Sequence, residues 1–166
     1  MLEIDNPDEN TEILRFFTDI KEFSTLPDNE LLTFIKSGRL RVYEPGEVLI
    51  KEGEYDCWVF ILISGKLEII KAAKSIGMLQ RNGEMFGEMG IIDGSPRSAS
   101  IHAVNKSLVL GFDASYIDQM QKESNLSFCY ILYRVFAEAL AARLRDTTQE
   151  NIRLREAISK IGHIDY

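Results

Sequence analysis

The chain has 166 residues, 45 % of them hydrophobic and 27 % charged, which suits one globular domain with an appendage and a core of its own. Its net charge of −7 argues against a general nucleic-acid surface, which needs a basic footprint. Cys57 and Cys129 lack metal-ligand spacing, no apolar run reaches membrane-spanning length, and the start Met1-Leu2-Glu3-Ile4-Asp5 is acidic. These features argue against a disulfide framework, a membrane span and a secretory leader, and predict a cytoplasmic protein.

Residues before about Thr11 are polar and acidic and are expected to be loose. From Thr11 to Glu22, Ile13, Leu14, Phe17 and Ile20 recur at helical spacing. Leu26-Pro27-Asp28-Asn29-Glu30 reads as a helix start with Asp28 as its cap; Leu31, Leu32, Phe34 and Ile35 follow, and Gly38 closes the helix. From Leu40 to Phe112 the pattern changes to short β-rich runs punctuated by glycine: Val48–Ile50, Trp58–Ile63, Leu67–Ile70, Ile76–Leu79, Ser100–Val104 and Ser107–Phe112. That spacing predicts an antiparallel roll or sandwich, with Lys71-Ala72-Ala73-Lys74-Ser75 as a compact hairpin connection. Asp113 is placed to cap a helix running to about Lys122.

A long helical pattern then runs from about Leu126 toward Ile161 without Pro or Gly. Leu126, Tyr130, Tyr133, Ala137, Leu140, Leu144, Thr147, Asn151, Leu154, Ile158 and Ile161 step by alternating fours and threes, the spacing of a coiled-coil seam. At the standard rise this helix is about 50 Å long, too long to pack wholly on a small roll. A parallel homodimer is expected, with Asn151 fixing its register.

The segment Phe86-Gly87-Glu88-Met89-Gly90-Ile91-Ile92-Asp93-Gly94-Ser95-Pro96-Arg97-Ser98-Ala99-Ser100-Ile101 is the richest in chemistry. Gly87 and Gly90 allow a close backbone approach to a ligand, and Met89 to Ile92 can start a short helix whose free N–H groups face an anion. The planar fork of Arg97 suits two phosphate oxygens, and the Glu88 carboxylate suits hydroxyl donors. A nucleotide monophosphate carries both groups.

This segment closely resembles the phosphate-binding cassette of cyclic-nucleotide-binding domains, in Phe86-Gly87-Glu88, Gly90, Arg97-Ser98-Ala99-Ser100-Ile101 and Ala103. Tyr43 to Glu54 and Val59 to Ile69 resemble the first strands and central hairpin of the same family, so the likeness runs from about Phe23 onward. It implies a mainly β fold: an antiparallel β-roll with N-terminal helices and a long C-terminal helix. The implied division is 1–22 as tail and helix, 23–122 as the cyclic-nucleotide-binding roll, and 123–166 as the lid and dimerisation helix. It also implies that Glu88 binds the ribose 2′-hydroxyl and Arg97 the cyclic phosphate, with Gly87, Met89, Gly90 and Ala99 in the cassette. Ser98 would reach the phosphate or the base.

Ala141-Ala142-Arg143-Leu144-Arg145-Asp146-Thr147-Thr148 resembles the lid helix of the catabolite-activator branch, which places the hydroxyls of Thr147 and Thr148 near the base and Arg143 near Glu88 or the ribose. Leu67, Ile69 and Met78 are the expected apolar walls of a base pocket. Cyclic AMP is the first choice of ligand, because hydroxyls on the helix suit an exocyclic amine; Ser98 leaves cyclic GMP open. No cofactor is expected. The partners expected are the nucleotide, a second copy of the chain and an effector protein of unknown identity.

An enzyme fits poorly. His102 and His163 are far apart and lack metal spacing, Ser64-Gly65-Lys66 lacks the upstream glycine of a phosphate-binding loop, and Ser95 lies in no nucleophile elbow. An operator-binding regulator needs about sixty residues after the long helix, so a free-standing sensor without direct nucleic-acid binding is expected. The remaining alternatives are a ligandless interaction module and the sensor fragment of a larger regulator.

Overall fold

The computed structural model describes residues 2–4, 11–20, 23–24, 26–115 and 126–161. Strand β1 (Leu2–Ile4) precedes helices α1 (Thr11–Thr18) and α2 (Asp28–Ser37). Eight more strands and a short helix follow: β2 (Arg39–Tyr43), β3 (Val48–Ile50), β4 (Trp58–Ser64), β5 (Leu67–Lys71), β6 (Lys74–Leu79), β7 (Met85–Phe86), α3 (Glu88–Asp93), β8 (Ser100–Ala103) and β9 (Ser107–Asp113). Helix α4 (Leu126–Ile161) is 36 residues long. The strands form two antiparallel sheets, one ordered β1-β2-β9-β4-β7 and the other β3-β8-β5-β6. This is the β-roll that the glycine-punctuated strand runs predict.

Strand β4 explains how the layers are held. Side chains alternate across a strand, and both of its faces are covered, so it reads as an unbroken apolar run. Phe60 and Leu62 point between the sheets and join Tyr43, Leu67, Leu79, Phe86 and Val109. Val59, Ile61 and Ile63 point the other way, into a core shared with Phe17 of α1, Phe34 of α2, and Val135 and Phe136 of α4. The N-terminal helices and the root of the long helix are thus fastened to the same sheet.

Several boundaries depart from the sequence expectation. Of the residues expected to be loose, Leu2–Ile4 pairs antiparallel with Leu40–Val42 and lengthens the sheet, a run too short to show a period; residues 1 and 5–10 lie outside the described residues. Helix α1 ends at Thr18, short of Glu22. In α2 the cap is Pro27, without a side-chain cap bond, and Asp28 is instead an acidic residue in the first turn, where the helix dipole favours it. Gly38 does end α2, its N–H reaching the Ile35 carbonyl, but in extended rather than left-handed backbone. Space explains this glycine: a Cβ there would stand 2.8 Å from Leu110 and Phe112. Asp113 accepts the Ser115 N–H at 3.0 Å, as the predicted cap requires, while the rest of that helix and the boundary at 122/123 lie outside the described residues.

Along α4, Val135 and Phe136 are buried, whereas the seam residues Tyr130, Tyr133, Leu144, Leu154 and Ile158 are exposed. These five residues therefore lie off the face that packs on the roll, whereas the seam residue Thr147 faces it. No helix of the described residues is long and apolar enough to cross a membrane. Phe136→Ala, which empties the anchor of α4, should lower the unfolding free energy by about 3–5 kcal/mol in a denaturant titration.

Candidate ligand-binding site

Strand β7 delivers the chain to Gly87, whose φ of +88° caps α3 from the left-handed region. A Cβ at Gly87 would also meet the Trp58 carbonyl and Arg97 Nη1, both at 2.9 Å, so glycine is needed here for conformation and for space. At Gly90 the added atom would meet the Ser95 carbonyl at 2.9 Å, which keeps α3 close to the loop that returns toward Arg97.

Arg97 is 4 % exposed. Its Nε donates to Asp56 Oδ2 at 2.9 Å, Nη2 donates to Asp56 Oδ1 and to the Trp58 carbonyl, and Nη1 donates to the Gly87 carbonyl. Among the described residues these bonds use four of the five guanidinium N–H groups, leaving one on Nη1. The backbone is pinned as well, by Arg97 N–H to the Glu54 carbonyl and Gly53 N–H to the Arg97 carbonyl, each 2.9 Å. Burial alone would raise the Asp56 carboxyl. Hydrogen bonds from Arg97 and the Trp58 N–H, together with the Arg97 and Arg41 charges, outweigh it and hold that carboxyl below its ordinary value.

Glu88, the first residue of α3, is 1 % exposed. Its Oε1 accepts from Arg143 Nη1 at 2.7 Å, and Arg143 Nη2 donates to the Met85 carbonyl at 2.6 Å. One residue of α4 therefore grips both ends of the β7–α3 corner. Glu88 Oε2 is buried with no hydrogen-bond partner among the described residues. A buried acceptor left in that state costs about 1–3 kcal/mol. A donor in the adjoining cavity, from water or from a ligand group, would satisfy it.

Two cavities meet at Arg143. The smaller, about 220 Å³, is lined by Gly87, Glu88, Met89, Gly90, Arg97, Ser98 and Ala99 against Ile50, Ile69, Lys71 and Ile76. The larger, about 530 Å³, lies between β6 with its following turn and α4, among Ile69, Met78, Arg81, Ala142, Asp146, Thr147 and Glu150. Ile69, Ile76, Leu79 and Arg143 line both. Across the rim of the larger cavity, Arg81 Nη2 donates to Asp146 Oδ2 at 3.2 Å. That pair is exposed and worth little by itself.

Most of the residues expected at a site are thus gathered here, with two exceptions. Leu67 is fully buried in the intersheet core, packed in the cluster of Tyr43, Phe60, Leu62 and Val109, and lines neither cavity. Thr148 also lines neither; it is exposed and donates its hydroxyl to the Leu144 carbonyl at 2.7 Å. Sequence reasoning missed Asp56, Lys71, Ile76, Arg81, Asp146 and Glu150. A buried arginine demands a carboxylate, but the sequence offers no way to choose Asp56 from its acidic neighbours. Among the described residues no group of three or more His, Cys, Asp and Glu side chains could hold a metal ion.

The sequence profile of the cyclic nucleotide-binding domain matches residues 40–124, which take in the strands from β2 onward and the whole cassette. The chain belongs to this family. It is 30 % identical over 127 residues to the cGMP-dependent protein kinase of Eimeria tenella, covering 76 % of this chain and 12 % of the kinase. It is 32 % identical over 93 residues to the cAMP-dependent protein kinase regulatory subunit of Mycosarcoma maydis, covering 54 % of this chain and 18 % of that one. The chain therefore spans less than a fifth of either relative. In fold it is similar to a cyclic nucleotide-binding domain from Methylobacillus flagellatus, with a TM-score of 0.74 at 22 % identity over 86 % of this chain and 82 % of that one. The catabolite activator protein of Thermus thermophilus is also similar, with a TM-score of 0.63 at 24 % identity over 81 % of this chain and 62 % of that one. At these identities the two structures speak for the fold alone.

The Asp56–Arg97 pair carries a pH signature. Because the folded carboxyl is held low, its stabilisation is complete above the unfolded value of about 3.9 and is lost as pH falls through the lower folded value. Asp56→Asn should remove this acid-side slope and cost about 1–3 kcal/mol at neutral pH. Denaturation of both proteins from neutral pH down to about pH 3 checks the slope.

Proposed function

We propose that this domain is a non-catalytic sensor that binds a purine cyclic nucleotide monophosphate, cyclic AMP ahead of cyclic GMP, in the cytoplasm, and that it works as a homodimer. The observation that carries the proposal is the buried Glu88 carboxylate, with one oxygen on Arg143 and the other without a partner, in the same cavity as Arg97. The ribose 2′-hydroxyl donates to Glu88 Oε2, and the cyclic phosphate lies against the remaining Nη1 donor of Arg97 and the amides at the start of α3. The base extends past Arg143 into the larger cavity, along Ile69 and Met78. There Thr147 and Asp146 offer acceptors to an exocyclic amine.

Ligand and lid share one carboxylate, so occupancy at Oε2 and the seat of Arg143 at Oε1 are energetically linked. Behind the cassette, Ile91 packs on the core cluster that holds Val135 and Phe136 of α4, while Ile92 is exposed. A movement of α3 is thus transmitted through Ile91 and Arg143 rather than through Ile92. The output is a change in the position of α4, which the ligand drives only by binding one position more tightly.

The exposed seam from Tyr130 to Ile158, about 42 Å long at the helical rise, supports pairing with a second copy. An aspartate in place of Leu154 or Ile158 should convert a dimer into a monomer in analytical ultracentrifugation, since it buries an unpaired charge in the seam.

Calorimetric titration with cyclic AMP, cyclic GMP and cyclic di-GMP tests the ligand. The two mononucleotides should bind, Arg97→Ala should weaken them by about 100-fold or more, and Glu88→Gln by about 10-fold. Failure of the unmodified protein to bind either mononucleotide refutes the proposal.

A further inference from the structure

In the reading above the smaller cavity takes a negatively charged phosphate, yet both of its arginines are already matched. Arg97 is paired with Asp56 and Arg143 with Glu88. Compensated pairs offer donors but little net charge to an incoming anion. One more cation lines this cavity: Lys71, at the end of β5, with Ser98 and Ala99 in the same wall. It is exposed, and among the described residues it forms no salt bridge.

The backbone around Lys71 is unusual. Strands β5 and β6 are joined by a two-residue turn, Ala72-Ala73, with φ of +48° and +61°. Residues with a Cβ pay roughly 1–2 kcal/mol each in that region, and glycine or asparagine is the ordinary choice. The turn also sets Lys71 directly opposite Lys74 in the ladder, a like-charge cross-strand pair that is unfavourable by itself.

A tether holds the turn in place. The Ala72 N–H donates to Glu52 Oε2 at 2.9 Å, and the Glu52 N–H donates to Ser100 Oγ at 2.9 Å. The next two residues, Gly53 and Glu54, are those that bracket the Arg97 backbone. A single segment, 52–54, therefore fixes Arg97 on one side and the strained turn bearing Lys71 on the other.

From this arrangement we infer that Lys71 is the second cation of the anion site, and that Glu52 positions it there; the inference rests on the nucleotide reading. Lys71 is the cation in this lining that stands outside both pairs, and its positive charge complements the single negative charge of a cyclic phosphodiester. Repulsion between Lys71 and Lys74 is offset once the anion is bound.

The test is titration of cyclic AMP and cyclic GMP into the full chain, its Lys71→Gln, Lys71→Arg and Glu52→Gln variants and the Lys71→Gln/Glu52→Gln double variant, from about 20 mM to about 0.5 M KCl. Lys71→Gln should weaken binding about 5–20-fold at low salt, and the gap should close to within about 2-fold at high salt, because an exposed charge is screened. Lys71→Arg should stay within about 3-fold of the unmodified protein, and the double variant should be no weaker than Lys71→Gln alone. All the variants should keep the unmodified melting temperature within a few degrees, since both side chains are exposed. Lys71→Gln affinity equal to that of the unmodified protein, or a loss that salt does not change, overturns the assignment and leaves the nucleotide reading intact. If the unmodified chain binds neither nucleotide, both fall together.

Discussion

A single carboxylate joins the two halves of this molecule. Glu88 lies at the start of a short helix in the roll, Arg143 lies fifty-five positions later in the C-terminal helix, and they meet at 2.7 Å with the carboxylate, though not the arginine, closed to solvent. Burying such a charge is unfavourable unless every lone pair finds a donor. Arg143 satisfies one oxygen and leaves the other, so the corner is incomplete without a hydroxyl or an equivalent donor. Arg143 also holds the Met85 carbonyl, so the C-terminal helix and the β7–α3 corner are tied together where the two cavities meet.

The rest of the fold keeps this group and Arg97 where they are. A strand buried on both faces ties the roll to the helices, and left-handed backbone at Gly87 turns the chain so that its carbonyl meets the Arg97 guanidinium. Asp56 completes the support from the loop before β4, forty-one positions away in sequence. Arg97 is thus oriented by the protein before any ligand arrives, which reduces the ordering a ligand must bring about. The same pairing leaves the arginine electrically matched.

What was legible in the sequence was what is contiguous. The cassette from Phe86 to Ile101 places its glycines, carboxylate and arginine within sixteen residues, and the structure gathers them in one cavity wall. The long helix was legible because neither proline nor glycine interrupts it. Contacts that depend on register across the roll were not legible. Asp56 sits among several acidic residues, and only the fold selects it. Lys71 reads as a solvated end of a hairpin until the turn is seen pinned by Glu52. Leu67 and Ile69 lie on one strand, two residues apart, yet one is sealed in the sheet centre and the other faces both cavities. The strand at Leu2–Ile4 escaped because three residues carry no period, and its identity comes wholly from pairing with Leu40–Val42.

The shared carboxylate is tested most directly by a cycle between one protein atom and one ligand atom. Affinities of cyclic AMP and its 2′-deoxy analogue are compared in the unmodified protein and in Glu88→Gln. Removing the 2′-hydroxyl should weaken binding about 10-fold or more in the unmodified protein and by much less in the variant, giving a coupling of about 1 kcal/mol or more. Equal losses in the two proteins, or no loss in either, would contradict the account.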